Sequence, residues 1–247
     1  DSYKEFWKEY GLVLKEGTAE DFENKESIAS LFLFSSTNTT TNDIDQSLDS
    51  YIERMSEGQE KIYYCVADTY EAAANSPHIE GLKSDGTEVL LLTDRIDEWV
   101  MTGLMEYKGK EIVNVAKEDI SPEESSKKVS ESDQSLVEKI KKQLDEKVSE
   151  VVISSRLTSS AACIVVPKHE PGAQLRKILE ASGQSMPSSK PIFEINIKHK
   201  LVKKLNDLKG KQFKSFVDFL YDYAIIAEGG SPHDPAKYLR QLDKYLS

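Results

Sequence analysis

Two apolar runs, Lys61-Ile62-Tyr63-Tyr64-Cys65-Val66-Ala67 and Glu88 to Thr93, stand on either side of residues 68–87. Each is of strand length and rich in β-branched, aromatic or leucine side chains, which reads as a strand buried on both faces. The stretch between them carries an Ala-rich helix from Glu71 to Asn75, a helix opened by Pro77 and the turn pair Asp85-Gly86. Strands joined through a helical connection lie parallel, and the crossover is right-handed. This part of the chain therefore reads as a βαβ unit.

Helical spacing appears on both sides of that unit. Tyr3, Phe6, Trp7 and Tyr10 form a stripe that stops at Gly11, as a C-terminal glycine would stop it. Thr18 and Asp21 have capping-box spacing ahead of Ile28, Ala29, Leu31 and Phe32. The polar run Ser35 to Asn42 reads as a loop, and Leu48, Tyr51, Ile52 and Met55 share a helical face. Beyond the second strand, Ile96, Trp99, Val100 and Leu104 predict a helix on the sheet.

A chain of 247 residues is long for one core, since domains commonly hold about 100–200 residues. From Ala116 to Asp133 the composition turns to Ser, Glu and Lys, which suits a linker. The expected division is residues 1–120, a hinge at 121–133 and residues 134–247. After the hinge come a helix (Leu136, Val137, Ile140, Leu144, Val148), strands at Val151 to Ser155 and Ala161 to Val166, an amphipathic helix with Leu175, Ile178 and Leu179, and a strand at Ile192 to Ile195. The fold class is α/β and α+β.

The last forty residues are more apolar than one helical face can hold. Phe213, Phe216, Val217, Leu220, Tyr223, Ala224 and Ala227 make one stripe, and Phe219, Tyr221, Ile225 and Ile226 widen it. Gly229-Gly230 ends that helix, and Asp234-Pro235 starts the next, which carries Tyr238, Leu239, Leu242, Tyr245 and Leu246. A second copy of this hairpin would bury it as a four-helix bundle, which predicts a homodimer.

A net charge of -11 repels phosphate backbones and anionic lipid, so nucleic acid and membrane are not expected partners. The longest apolar runs fall far short of the roughly 20 residues of a membrane span. Cys65 and Cys163 each lie in apolar runs and read as small buried hydrophobes, which points to a reducing, cytoplasmic setting. The opening Asp1-Ser2-Tyr3 has no initiator Met and no leader pattern, as expected for a piece of a longer protein.

The stretch Leu48-Asp49-Ser50-Tyr51-Ile52-Glu53-Arg54-Met55-Ser56-Glu57-Gly58-Gln59-Glu60-Lys61-Ile62-Tyr63-Tyr64 resembles the middle-domain signature of the ninety-kilodalton heat-shock chaperones. Asp1 to Gly17 is similar to the segment before it, and Glu88 to Trp99 to the end of that domain. Ser155-Arg156-Leu157-Thr158, Leu175 to Gln184 and Ile192-Phe193-Glu194-Ile195-Asn196 match in the same order. The resemblance spans nearly the whole chain and is to the bacterial type, because the tail ends at Leu246-Ser247 without an acidic co-chaperone peptide. Departures are Ser160-Ala161 for a common Ser-Pro, Ile197-Lys198-His199 for Pro-Asp-His, and Pro171-Gly172 where the family continues helix.

The resemblance implies the distal middle domain followed by a C-terminal dimerisation domain. It places the ATP and magnesium chemistry of the parent in a preceding domain, so no catalytic, cofactor or metal residue is expected here. Consistent with that, the sequence holds no Gly-x-x-x-x-Gly-Lys-Ser/Thr loop, no Gly-x-Ser-x-Gly elbow and no Cys-x-x-Cys pair. His78, His169, His199 and His233 lack metal-ligand spacing.

The function implied is binding of unfolded or partly folded client proteins. Clients need exposed apolar anchors beside an acidic rim, and Trp99, Met101, Met105, Leu175, Ile178 and Leu179 are the candidates. The alternative reading of these stripes is ordinary core, which is accepted for Ile96, Val100 and Leu104. For dimerisation the candidates are Phe213, Phe216, Leu220, Tyr238, Leu239 and Leu242, with an intramolecular hairpin core as the alternative. A rival of another class is a stand-alone α/β enzyme using Asp94, Asp97 and Glu98 at the C-terminal end of the second strand. Against it, acids at a helix N-terminus are favoured by the dipole alone.

Overall fold

The computed structural model describes residues 2–21, 23–117, 130–168, 170–172, 175–176, 178–179, 182–183 and 189–246, with backbone alone at residues 19 and 246. The chain divides into two compact units. The first comprises Asp1–Asn75, Leu82–Val115 and Pro171–Met186; the second comprises Ser76–Gly81, Ala116–Glu170 and Pro187–Ser247. Neither is one continuous stretch, unlike the division suggested by composition. Most of the expected hinge at 121–133 lies outside the described residues, and its last three residues are helical.

In the first unit, helix α1 (Ser2–Glu20) continues through Gly11 instead of stopping there. A Cβ on Gly11 would sit 2.8 Å from the Trp7 ring, so this glycine makes room for the indole. Thr18 is likewise inside α1, where its hydroxyl donates to Lys15 O at 2.8 Å, and it caps nothing. Asp21 instead accepts from Asn24 at the start of α2 (Lys25–Ala29). Within the polar run expected as loop, Ser35–Ser36 form strand β1, because backbone pairing needs no apolar side chain.

Helix α3 (Leu48–Arg54) starts with a reciprocal Ser47–Ser50 capping box. Strand β2 (Lys61–Val66), helix α4 (Tyr70–Ala74), a 3-10 turn (Pro77–Ile79), helix α5 (Glu80–Ser84) and strand β3 (Leu90–Leu92) follow in the expected order. β2 and β3 are parallel, with Cys65 opposite Leu91. After α6 (Asp97–Gly103), β4 (Glu106–Tyr107) and β5 (Lys110–Asn114) form a hairpin. Its turn residues Lys108 and Gly109 have φ of 47° and 75°, the double positive φ that a two-residue hairpin loop requires.

The sheet order is β1-β3-β2-β5-β4, with β5 also parallel to β2. Trp7, Phe32, Phe34, Tyr51, Ile62 and Leu90 are part of the core of this unit. The Tyr51 hydroxyl donates to Glu88 O at 2.6 Å and accepts from Tyr63 N, tying α3 to both ends of the crossover. Burial pushes its phenol up to about 12.

In the second unit, Ser130 caps α7 (Glu131–Gln143). Strands β6 (Glu150–Ile153), β7 (Ala162–Val165) and β8 (Ile192–Ile195) form a sheet of order β6-β8-β7, parallel on one side and antiparallel on the other. Helix α8 (Lys200–Lys204) leads to α9 (Gly210–Ala227), which packs on β7, and α10 (Pro235–Leu246) returns along α9. Gly229, at φ 73°, takes the left-handed position that ends α9, and Asp234 accepts from Lys237 N at 2.9 Å to cap α10, both as expected. Together the units are α/β and α+β.

Candidate functional site

The acids after β3 sit where an open α/β sheet binds ligands, and each of the two buried ones is already engaged. Asp97, only 2% exposed, accepts from Lys15 Nζ at 2.5 Å through Oδ1 and from Asp94 N at 2.8 Å through Oδ2. Lys15 also donates to Asp94 Oδ2 at 2.6 Å, and its ammonium lies 5.8 Å from the Trp7 ring and 5.5 Å from the Phe34 ring. Burial pushes the Asp97 carboxyl up against the pull of Lys15, whose single charge is shared with Asp94.

Sequence reasoning missed Lys15. Its signal was present, because Trp7, Gly11, Lys15 and Thr18 are, among the described side chains, the buried positions of α1 and fall on one helical face. Hydropathy hides such a stripe when half of its members are Gly and Lys.

Glu98 is also buried, and its carboxylate accepts from the N–H groups of Gly172 and Leu175, the latter at 2.8 Å. A Cβ at position 172 would overlap that carboxylate, which is the physical reason for glycine in Pro171-Gly172. Leu175, Ile178 and Leu179 are helical and half-buried. Ile178 joins Leu12, Thr93, Asp94, Arg95 and Ile96 around a groove of about 460 Å³. Glu98 thus brings the 171–179 segment and α6, read separately in the sequence, into one unit.

Trp99 is 42% exposed and Met105 is 68% exposed. Met101 is different: it is 3% exposed and belongs to the core. Its helical angle explains the correction, since Met101 lies one position from Val100 and three from Leu104, both of which face inward, as accepted for them from the sequence. The candidates that remain accessible are Trp99 and Met105, exposed, and the half-buried Leu175, Ile178 and Leu179.

The terminal hairpin divides in the same way. Phe216 and Leu220, expected to meet a second copy, are buried in the core of their own chain because α9 backs directly onto β7. Phe213, Tyr238 and Leu242 are partly buried against that core. Tyr245 meets Phe216 edge-on at 4.7 Å between ring centres, and Tyr238 stacks on Phe219 at 5.1 Å. Leu239, beside that packed stripe on α10, is 58% exposed.

His199 caps α8, accepting from Leu201 N at 3.2 Å; His78 is buried; His233 is exposed; and His169 lies outside the described residues. Cys65 and Cys163 are buried and form no disulfide, and burial pushes the Cys163 thiol up, away from reactivity. No helix among the described residues is long and apolar enough to cross a membrane.

The family model described as Hsp90 protein matches residues 1–247. The chain is 47% identical over 255 residues to a protein of Chromobacterium violaceum named Chaperone protein HtpG, covering all of this chain and 40% of that relative. Proteins of the same name from Aromatoleum aromaticum and Legionella pneumophila (strain Lens) are 45% and 42% identical over 254 and 252 residues. Again they cover all of this chain, and 39% and 40% of the relatives' lengths. On the full-length family match and these identities, the chain belongs to the Hsp90 protein family.

Proposed function

We propose that this chain is the client-binding and self-associating part of a molecular chaperone, made of the distal middle domain and the C-terminal dimerisation domain. In this reading ATP and magnesium act in another domain of the parent, in the cytoplasm, and this chain performs no catalysis. The observation that carries the reading is the exposed Trp99. The carboxylate of the residue beside it holds the segment bearing Leu175, Ile178 and Leu179 in the same unit. A large exposed amphipathic ring and partly exposed aliphatic side chains in one unit suit extended, partly unfolded chains, and a net charge of -11 keeps the empty surface soluble.

The test is suppression of aggregation of an unfolding test protein. Wild type suppresses it, and Trp99→Ala, which removes an exposed side chain and leaves the core intact, needs roughly thirtyfold more chain for the same protection, the size of a lost Trp hot spot. Equal protection by both removes Trp99 as an anchor and with it this reading of the surface.

Self-association rests on the exposure of Leu239 on α10, beside the stripe of Tyr238 and Leu242 that packs on the core. Light scattering is expected to give about twice 27.8 kDa for wild type and about 27.8 kDa for Leu239→Asp. A monomeric wild type at high micromolar concentration overturns it. Leu220→Asp is not a useful probe, because Leu220 is core in the single chain.

A further inference from the structure

Thr158, Ser159 and Ser160 turn three successive backbone N–H groups onto one carboxylate. Thr158 N and Ser159 N each donate to Glu80 Oε2 at 2.7 Å, and Ser160 N reaches both oxygens at 3.0 and 3.1 Å. The hydroxyls of Ser159 and Ser160 donate to Oε1 at 2.8 and 2.5 Å. All of these residues belong to the second unit. Consecutive N–H groups converging on one point form a concavity that selects anions, whatever molecule supplies the anion.

The segment that delivers Glu80 is tightly seated. His78 is buried with Nε2 2.8 Å from Glu228 Oε1, and a Cβ on Gly81 would lie 3.0 Å from Arg156 O. Burial works to raise the Glu80 carboxyl, yet the donors of Ser160 and Ser159 hold it below the ordinary carboxylate range. The loop therefore stabilises negative charge rather than merely fitting a side chain.

We infer that Thr158–Ser160 is an oxyanion-binding site, filled in cis by Glu80, and that a phosphate-type oxyanion takes it when Glu80 is withdrawn. Five donors around one point match a tetrahedral oxyanion at least as well as a planar carboxylate. In the wild-type chain the site is free only in the fraction of molecules whose Glu80 is out, so apparent affinity for a free anion falls by that fraction. Anion binding and seating of residues 77–81 then oppose one another, which makes the loop a competitive latch.

The test uses the full isotope-labelled chain and inorganic phosphate as probe, with chloride at matched ionic strength as control. The amide resonances of residues 158–160 are followed in wild type, Glu80→Gln and Glu80→Ala. Saturable shifts at those three amides are expected in Glu80→Ala, weaker binding in Glu80→Gln, and apparent affinity at least roughly tenfold lower again in wild type. Should the alanine variant fail to fold, Glu80→Gln against wild type decides the matter. No saturable shift at 158–160 in a folded variant, or equal response in wild type, overturns the inference.

Discussion

Asp97 of the first unit and Glu80 of the second each occupy the first position of a helix, where the dipole favours a carboxylate. Their carboxyls nevertheless move in opposite directions, Asp97 up and Glu80 down. Asp97 is almost wholly buried and faces a cation, but that cation is itself buried and divided between two acids. Glu80 is only partly buried and meets neutral dipoles, three backbone N–H groups and two hydroxyls of a single loop. Preorganised neutral donors on a half-exposed acid therefore stabilise charge better than a shared ammonium does in the core.

The largest test of that contrast is Lys15→Met. It leaves Asp97 buried with no counter-ion, and the expected loss in urea unfolding at neutral pH is about 3–5 kcal/mol. Adding Asp97→Asn should restore much of it, because the stranded charge goes too. A loss below about 1 kcal/mol would show that Lys15 does not matter to Asp97, and the contrast would break.

The next largest effect is in pH dependence, where the two acids predict opposite signs. Asp97 has a folded value above its ordinary 3.8, so its contribution is best at low pH and declines as pH rises through the folded value. Glu80 has a folded value below its ordinary 4.5, so its contribution is present above 4.5 and is lost as pH falls through the folded value. Urea midpoints of Asp97→Asn and Glu80→Gln, each relative to wild type over about pH 3 to 6, should therefore diverge. Parallel curves would mean that the two environments are equivalent.

The contrast also marks how far the sequence carried. The parallel crossover was legible because Ile62, Tyr64 and Cys65, with Leu90 to Leu92, are continuous apolar runs, and a sheet buried on both faces leaves that trace. The caps at Asp234 and Gly229 were legible because an N-cap carboxylate and a left-handed glycine act on backbone within a few residues of themselves. What was not legible were the polar contacts made across long sequence separation: Lys15 to Asp97, Glu98 to Gly172, Glu80 to Ser160. Lys, Glu and Ser read as solvated in any window, and only tertiary neighbours reveal them as engaged with other side chains and backbone. Met101 failed for a narrower reason, since an angular step of one residue separates an inward face from the exposed one that Trp99 takes. Phe216 and Leu220 failed because periodicity shows that a face is apolar and says nothing of whether the same chain covers it.

The smallest expected effect is also the sharpest. Asp94 is 43% exposed at its side chain, so Asp94→Asn should change overall stability by less than about 1 kcal/mol. It removes a neighbouring negative charge that raises the Asp97 carboxyl, and it leaves the whole of the Lys15 ammonium to Asp97. The backbone N–H at position 94 still donates to Asp97 Oδ2, so the local geometry is kept. The Asp97 carboxyl, followed by carbon NMR through acid titration, should then move down toward the ordinary aspartate value. If it stays where it was, division of the lysine is irrelevant, and burial alone sets the difference between Asp97 and Glu80. In that case exposure, not the type of donor, is what separates the two acids.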